Sequence, residues 1–256
     1  MKKISKCLLL VFVASLLVLS VDASCELSWY CKRTKDHSQP SLDSSLSLIE
    51  KYGVIWIDKS HSKMDDEKVV FLTFDAGYEN GNVEKILDVL DREGIKGNFF
   101  VLENILLKNH DLIEKMTNGG HMVLNHTAKH KNMATMASKQ EFEAELRRLE
   151  DVYKSEYGAS MPKIYRPPEG KFNENNLKWA SELGYKTVMW SFAYADWDNG
   201  RQMSPEKAKQ KILDNLHNGE IMLLHPTSST NAEIMEDLIL ELKEQGFRFG
   251  TLDELC

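Results

Sequence analysis

The sequence is sparing with the residues that mark special chain classes. Of 256 residues only 4 are Cys and 6 are Pro, and Gly numbers 14. These counts argue against a disulfide-dense scaffold, a collagen-like repeat and a low-complexity chain. There is no Cys-x-x-Cys pair to build a thiolate zinc site and no His-Glu-x-x-His to build a common zinc peptidase. Positive charge is also short: the formal net charge is −7, which disfavours a nucleic-acid binder. No internal repeat and no long linker is present. What remains is an ordinary globular balance, 42% hydrophobic and 28% charged, at a length that suits one domain with a modest extension.

The N-terminus reads as a targeting segment. Lys2, Lys3 and Lys6 precede an apolar run over 7–21, broken only by Ser15 and Ser20. That run is short for a membrane span, which takes about 20 residues. Val21-Asp22-Ala23 offers small or aliphatic residues at −3 and −1 of a cleavage site after Ala23. Residues 1–23 are therefore expected to be a secretory signal peptide, with a retained N-terminal anchor as the alternative. A lipoprotein reading at Cys25 is weaker, because Asp22 stands where that signal wants Leu. The mature protein is expected outside the membrane, without stable insertion. There a disulfide among Cys25, Cys31 and Cys256 is permitted, and the sequence does not choose a pair.

From residue 69 onward, short apolar runs alternate with helical patterns. Strands are predicted over 69–74, 97–101, 121–125, 163–166, 186–191, 220–225 and 247–251. Helices are predicted over 83–93, 109–118, 138–157, 174–183, 205–218 and 232–245. Their ends carry suitable punctuation. Ser138-Lys139-Gln140-Glu141 reads as a capping box, and Ser204-Pro205 as an N-cap followed by Pro at the first helical position. Gly94, Gly119, Gly158, Gly184, Gly219 and Gly246 follow helices where a left-handed residue is wanted. Such alternation means parallel strands with helical crossovers, in a barrel or a doubly wound sheet. Residues 24–66 read as an N-terminal extension packed on a domain spanning 67–256.

In parallel α/β folds chemistry collects at the C-terminal ends of the strands. Five such ends carry unusual residues here: Asp75; His126 and His130; Arg166-Pro167-Pro168-Glu169-Gly170; Asp196-Trp197; and His225. Each is weak alone, and their shared placement is the evidence. An Asp after a buried strand is often a turn or capping residue, but as a catalyst Asp75 would be a general base. With eight His in the chain, one His-x-x-x-His spacing is unremarkable, yet two imidazoles suit zinc or a similar cation. Arg166 could reach solvent; beside Asp75 it would hold that carboxylate ionised and oriented. His225, at the end of the most apolar strand, would be a general acid, with Asp196 a candidate to raise its pKa.

Taken together these residues resemble a family. Thr73-Phe74-Asp75-Ala76-Gly77, His126-Thr127-Ala128-Lys129-His130, Arg166-Pro167-Pro168-Glu169-Gly170, Asp196-Trp197 and Leu223-Leu224-His225 stand in the order of the five motifs of polysaccharide deacetylases (the NodB-homology domain, carbohydrate esterase family 4). The likeness covers roughly residues 67–253. Gly77-Tyr78-Glu79-Asn80-Gly81, Asn231-Ala232-Glu233 and the segment from Trp29 to Pro40 further resemble the muramic-acid δ-lactam de-N-acetylases of spore formers. The resemblance implies a distorted (β/α) barrel of about seven parallel strands. It implies hydrolytic removal of acetyl from peptidoglycan N-acetylmuramic acid, on the way to muramic δ-lactam in spore cortex. A monomer acting on glycan strands on the cell-wall side of the membrane is expected.

The resemblance also distributes roles. Asp75 would be the base, oriented by Arg166; His225 the acid, with Asp196 pairing either His225 or Arg166; His126 and His130 the metal ligands. The Glu169 backbone N–H would serve the oxyanion, and Trp197 and Tyr78 would contact the sugar. One departure matters. Most of the family has a second Asp as third metal ligand, where this chain has Ala76. That implies a weak or optional divalent-metal site. The competing readings are an N-acetylglucosamine or chitooligosaccharide deacetylase, and a glycan-binding module without catalysis.

Overall fold

A computed structural model of the chain describes residues 25–63 and 67–256; the expected signal segment lies outside these residues. The first described stretch carries three two-residue strands, β1 (Leu27–Ser28), β2 (Cys31–Lys32) and β3 (Ser41–Leu42), and the short helix α1 (Leu48–Lys51). Then come β4 (Lys68–Ala76), α2 (Asn82–Arg92), β5 (Asn98–Val101), α3 (Glu103–Lys108), α4 (His110–Asn118), β6 (Met122–Asn125), α5 (Lys139–Tyr157), β7 (Ile164–Tyr165), β8 (Lys171–Phe172) and α6 (Glu174–Glu182). The chain ends with β9 (Lys186–Thr187), β10 (Phe192–Ala193), α7 (Pro205–Leu213), β11 (Glu220–Leu224), α8 (Ser229–Glu244) and β12 (Phe247–Phe249).

The main sheet runs β10-β11-β4-β5-β6-β7-β9 with every pairing parallel, and β12 joins the first half of β4. This is the distorted (β/α) barrel that the alternation and the resemblance imply. Side chains alternate along β4 between two cores. Val69 and Phe71 pack inside the barrel with Phe100, Leu124, Val188 and Ile221. Val70, Leu72 and Phe74 face outward to the helices, against Ile86, Leu90, Met235 and Leu238. Helix α2 shows why such segments are helical: Val83, Ile86, Leu87 and Leu90 repeat at three- and four-residue steps and are all buried.

The barrel is left open between β9 and β10, and the N-terminal segment covers the gap. Ile55 forms a parallel bridge with Val188, its N–H donating to Thr187 O (3.0 Å) and its carbonyl accepting from Met189 N–H (2.7 Å). The Asp58 N–H then donates to Gly219 O at the start of β11 (2.9 Å). An otherwise open edge is thereby paired.

Several local expectations are corrected. The apolar run 186–191 is not one strand: β9 pairs β7, residues 188–191 cross the seam, and β10 pairs β11. The helix predicted over 205–218 stops at Leu213, because His217 and Asn218 are drawn into the core. His217 Nε2 meets Ser191 Oγ (2.9 Å), and Asn218 accepts from Val69 N–H (2.8 Å). Helix α8 begins three residues earlier than predicted, since Ser228 caps it by accepting from Asn231 N–H. Ser204 makes no side-chain cap bond. Gly119 is right-handed, with Gly120 supplying the positive φ after α4, and Gly219 lies beyond any helix end. Ser138 does cap α5, though Glu141 returns to Ala137 N–H rather than to Ser138. The strand predicted over 247–251 ends at Phe249, and α3 was not predicted. Cys25, Cys31 and Cys256 are free thiols.

Candidate active site

A cavity of about 710 Å³ opens at the C-terminal ends of the strands. Its lining includes Asp75, His126, His130, Glu169, Trp197 and His225, with Tyr78 at the mouth. Arg166 and Asp196 stand behind this lining, both buried. All nine residues singled out from the sequence therefore gather in one place, delivered by separate strand ends: β4 and the loop after it for Asp75 and Tyr78, and the turns after β6, β7, β10 and β11 for the others.

Asp75 is fixed by Arg166. The Arg166 Nη1 donates to Asp75 Oδ1 at 2.8 Å, Nη2 donates to Met189 O at 3.1 Å, and Nε to Val188 O at 3.4 Å. The guanidinium also lies 4.1 Å from the centre of the Phe100 ring. It has no solvent exposure, so its charge is balanced by Asp75, by carbonyl dipoles and by the faces of Phe100 and Trp190. Burial pushes the Asp75 carboxyl up, but His126, Arg166 and His225 together outweigh it and hold the group below the usual carboxylate range. Asp75 is thus held as a carboxylate against the cavity. The open alternative for Asp196 is also decided: Arg166 goes to Asp75, and Asp196 to His225.

His225 Nδ1 donates to Asp196 Oδ1 at 2.7 Å, while Asp196 Oδ2 accepts from the His225 backbone N–H at 2.8 Å. Burial lowers the imidazole pKa, but the hydrogen bond and charge of Asp196, with the charge of Asp75, reverse this and leave it above the ordinary histidine value. With Nδ1 engaged, Nε2 is the nitrogen left to carry a proton into the cavity. The site accordingly holds an ionised carboxylate and a histidine biased to its protonated form, which is the pairing acid–base chemistry needs.

His126 is set up differently. Its Nδ1 donates to the Arg166 carbonyl (3.0 Å), so the neutral ring keeps its lone pair on Nε2, which lies 3.5 Å from Asp75 Oδ2. Burial, the largest cause, drives its pKa down to about 4. His130 packs beside it, with ring centroids 5.1 Å apart. Thr127 (φ 71°) and His130 (φ 53°) are both left-handed, and this tight turn brings the two rings together. Two imidazoles beside a carboxylate are donors that fit zinc or a similar borderline cation. Ala76 adds none: it packs in the helix-facing core. No group of three His, Cys, Asp or Glu among the described residues is arranged as a metal cage.

The rim is aromatic. Trp197 is 61% exposed, so it is not a buried packing residue, and its ring lies 6.1 Å from that of His225. Tyr78, also exposed, accepts a hydrogen bond from Asn199 Nδ2 (2.8 Å), tying together the loops after β4 and β10. Glu169 is left-handed (φ 58°) in the turn after the two prolines, and its side chain pairs with Lys171. Gly170 has to be glycine: a Cβ there would stand 2.7 Å from the Trp190 ring and 3.0 Å from Trp29 Cβ, at φ +63°.

Sequence reasoning missed some of the site. Trp190, Tyr194, Leu102 and Thr227 line the cavity, and all read as core or loop residues. Asn231 was noted only as part of a local likeness. It is buried and donates through Nδ2 to Asp196 Oδ2 (2.7 Å) and to the His225 carbonyl (3.1 Å).

Residues 62–188 match the sequence profile of a family described as polysaccharide deacetylase. A peptidoglycan-N-acetylmuramic acid deacetylase, PdaA of Bacillus subtilis, is 38% identical over 232 residues, which is 90% of this chain and 85% of that protein. A peptidoglycan-N-acetylglucosamine deacetylase of Bacillus cereus is 31% identical over 82% of this chain and 74% of its own length. The solved structure of B. subtilis PdaA, described as a family 4 carbohydrate esterase, superposes with a TM-score of 0.84 at 36% identity, covering 90% of this chain and 96% of that one.

Proposed function

The chain belongs to the polysaccharide deacetylase family, and from that premise we propose that it hydrolyses the acetamide of N-acetylmuramic acid in peptidoglycan. The observation that carries this reading is the pairing across one cavity of Asp75, held by Arg166, with His225, held by Asp196. That is a base and an acid supplied together. The choice of muramic acid rests on the 38% identity to a protein named for that substrate, against 31% to one named for glucosamine.

Asp75 takes a proton from the attacking water as its oxygen adds to the acetyl carbon. The Glu169 backbone N–H, on its left-handed turn, would serve the developing oxyanion. His225 gives its Nε2 proton to the departing amine as the C–N bond breaks, and acetate leaves. Asp196 holds the imidazole through both steps. Trp197 and Tyr78 supply apolar faces for a sugar ring at the mouth. His126 and His130 would hold a divalent cation, zinc or similar, which when bound polarises water and the acetyl carbonyl. With two protein ligands such a site is weak and freely exchanging. In muramic acid the freed amine lies within reach of the lactyl carboxyl, so the product can close to a δ-lactam, and a role in spore cortex belongs to this proposal.

The proposal includes a location on the cell-wall side of the membrane, with residues 1–23 as a cleaved signal, 24–66 as an extension and 67–256 as the deacetylase domain. Among the described residues no helix is long and apolar enough to cross a membrane. The test is mass spectrometry of glycan strands freed of stem peptide and incubated with the purified protein. Loss of one acetyl mass from muramic acid is expected. Loss only from glucosamine would move the protein to the other substrate, and no loss from either sugar would leave a binding module.

A further inference from the structure

We infer that Asn231 is a positioning residue for the acid–base step: it locks the Asp196 carboxylate in the one orientation that holds the His225 imidazole toward the substrate. This rests on the acid role proposed above for His225.

The argument starts from the helix end. Ser228 is the N-cap of α8 and accepts from the Asn231 N–H (3.1 Å), so Asn231 is the third residue of the helix. A polar side chain at that position ordinarily folds back to the N-cap N–H and completes a capping box. Here that N–H is taken by the His225 carbonyl (3.1 Å), and the Asn231 side chain turns inward instead. Its Nδ2 spends both hydrogens on acceptors that cannot donate, the Asp196 carboxylate (2.7 Å) and the His225 carbonyl (3.1 Å). Its Oδ1 accepts from the Tyr194 hydroxyl. The amide orientation is therefore fixed by chemistry. Every polar atom of a side chain with no solvent exposure is used.

The consequence falls on Asp196. Its Oδ2 receives two donors, Asn231 Nδ2 and the His225 backbone N–H, which leaves Oδ1 to face His225 Nδ1. Without Asn231, a buried carboxylate oxygen would keep one donor of two. The group would rotate or take up a proton, and both responses withdraw its charge from the imidazole. The other charged or titratable groups facing this couple are Asp75 from β4, Arg166 from the turn after β7 and the Tyr194 phenol. None of them donates to Asp196 Oδ2.

The experiment reads His225 itself. Protein carrying isotopically labelled histidine is titrated by NMR, with the His225 signal assigned by its absence in His225→Gln. Asn231→Leu keeps the volume and removes both donors. The hydrogen-bonded Nδ1–H resonance of His225 should disappear and the imidazole pKa should fall by about one unit, a tenfold change in protonation. The kcat should drop about ten- to a hundredfold with KM unchanged, as for loss of a hydrogen bond to a charged group. Asn231→Ala removes the same donors with less bulk and is read in its place if the leucine variant does not fold. Ser228→Ala is the control for a merely structural role, removing the cap; it should lower Tm and leave the His225 pKa alone. An unchanged His225 pKa in the Asn231 variant, or the same shift in Ser228→Ala, would overturn the inference. Wild-type protein that leaves muramic acid acetylated would count against the proposed function, while the imidazole titration still decides the role of Asn231.

Discussion

Replacing Arg166 by Met should unsettle the protein in a way that depends on pH. The Met side chain can fill most of the space beside Phe100 but leaves Asp75 buried with no guanidinium, and the carbonyls of Val188 and Met189 without their donor. Breaking a buried ion pair from one side costs about 3–5 kcal/mol. A domain of this size has roughly 5–15 kcal/mol in hand, so the variant should remain folded but fragile. The pH dependence follows from Asp75. In the wild type its folded pKa lies below the unfolded value of 3.8, so it stabilises at all pH above that value and the contribution is lost as pH falls through the folded pKa. Without Arg166 the burial penalty is opposed only by His126 and His225, and the folded pKa rises. The group then destabilises at neutral pH and is relieved as acid supplies a proton. Urea denaturation followed by tryptophan fluorescence should therefore show a larger deficit at pH 7 than at pH 5. Adding Asp75→Asn to Arg166→Met should recover at least about 1 kcal/mol, because a neutral amide tolerates the vacancy better than a lone carboxylate. A deficit under about 1 kcal/mol, or one that is the same at both pH values, would refute the view that Arg166 holds Asp75 ionised.

Three further outcomes are expected. The alkaline limb of kcat/KM should follow deprotonation of His225, whose pKa is raised; Asp196→Asn should move that limb to lower pH, and a limb that stays in place would remove His225 from the acid role. Zinc titrated calorimetrically into the wild type should bind weakly and His126→Gln should abolish it, whereas binding that survives the substitution would put the cation elsewhere. Trp197→Ala should raise KM several-fold while changing stability by no more than about 0.5 kcal/mol, given how exposed the ring is; an unchanged KM would deny it a part in sugar binding.

Much of this architecture is legible in the sequence, for identifiable reasons. Strands such as β4 and β11 are buried on both faces and read as unbroken apolar runs, while α2 and α5 carry clear amphipathic spacing. The strand–helix rhythm then places Asp75, His126, Arg166, Asp196 and His225 at one end of the sheet before any coordinates are known. What is not legible depends on contacts far apart in the chain. The run 186–191 looks like one strand because its apolar pattern cannot reveal that it crosses a seam between two pairing partners. Ile55, which covers that seam, belongs to a stretch with neither strand nor helix periodicity. His217 and Asn218 look helical until their tertiary hydrogen bonds are seen. Whether Asp196 serves Arg166 or His225 is likewise a question of three-dimensional reach. Asn231 was hidden for a different reason: it stands just ahead of the helix predicted over 232–245, and nothing local shows its side chain turning inward to Asp196.

The central claim is that a base at Asp75 removes acetyl from muramic acid. It is tested most directly by comparing wild type with Asp75→Asn on glycan strands freed of stem peptide, each product analysed by mass spectrometry and each protein checked by thermal denaturation. The account predicts that the wild type removes one acetyl mass from muramic acid and that the variant, folded, removes almost none. A folded Asp75→Asn protein with near-wild-type turnover would contradict it.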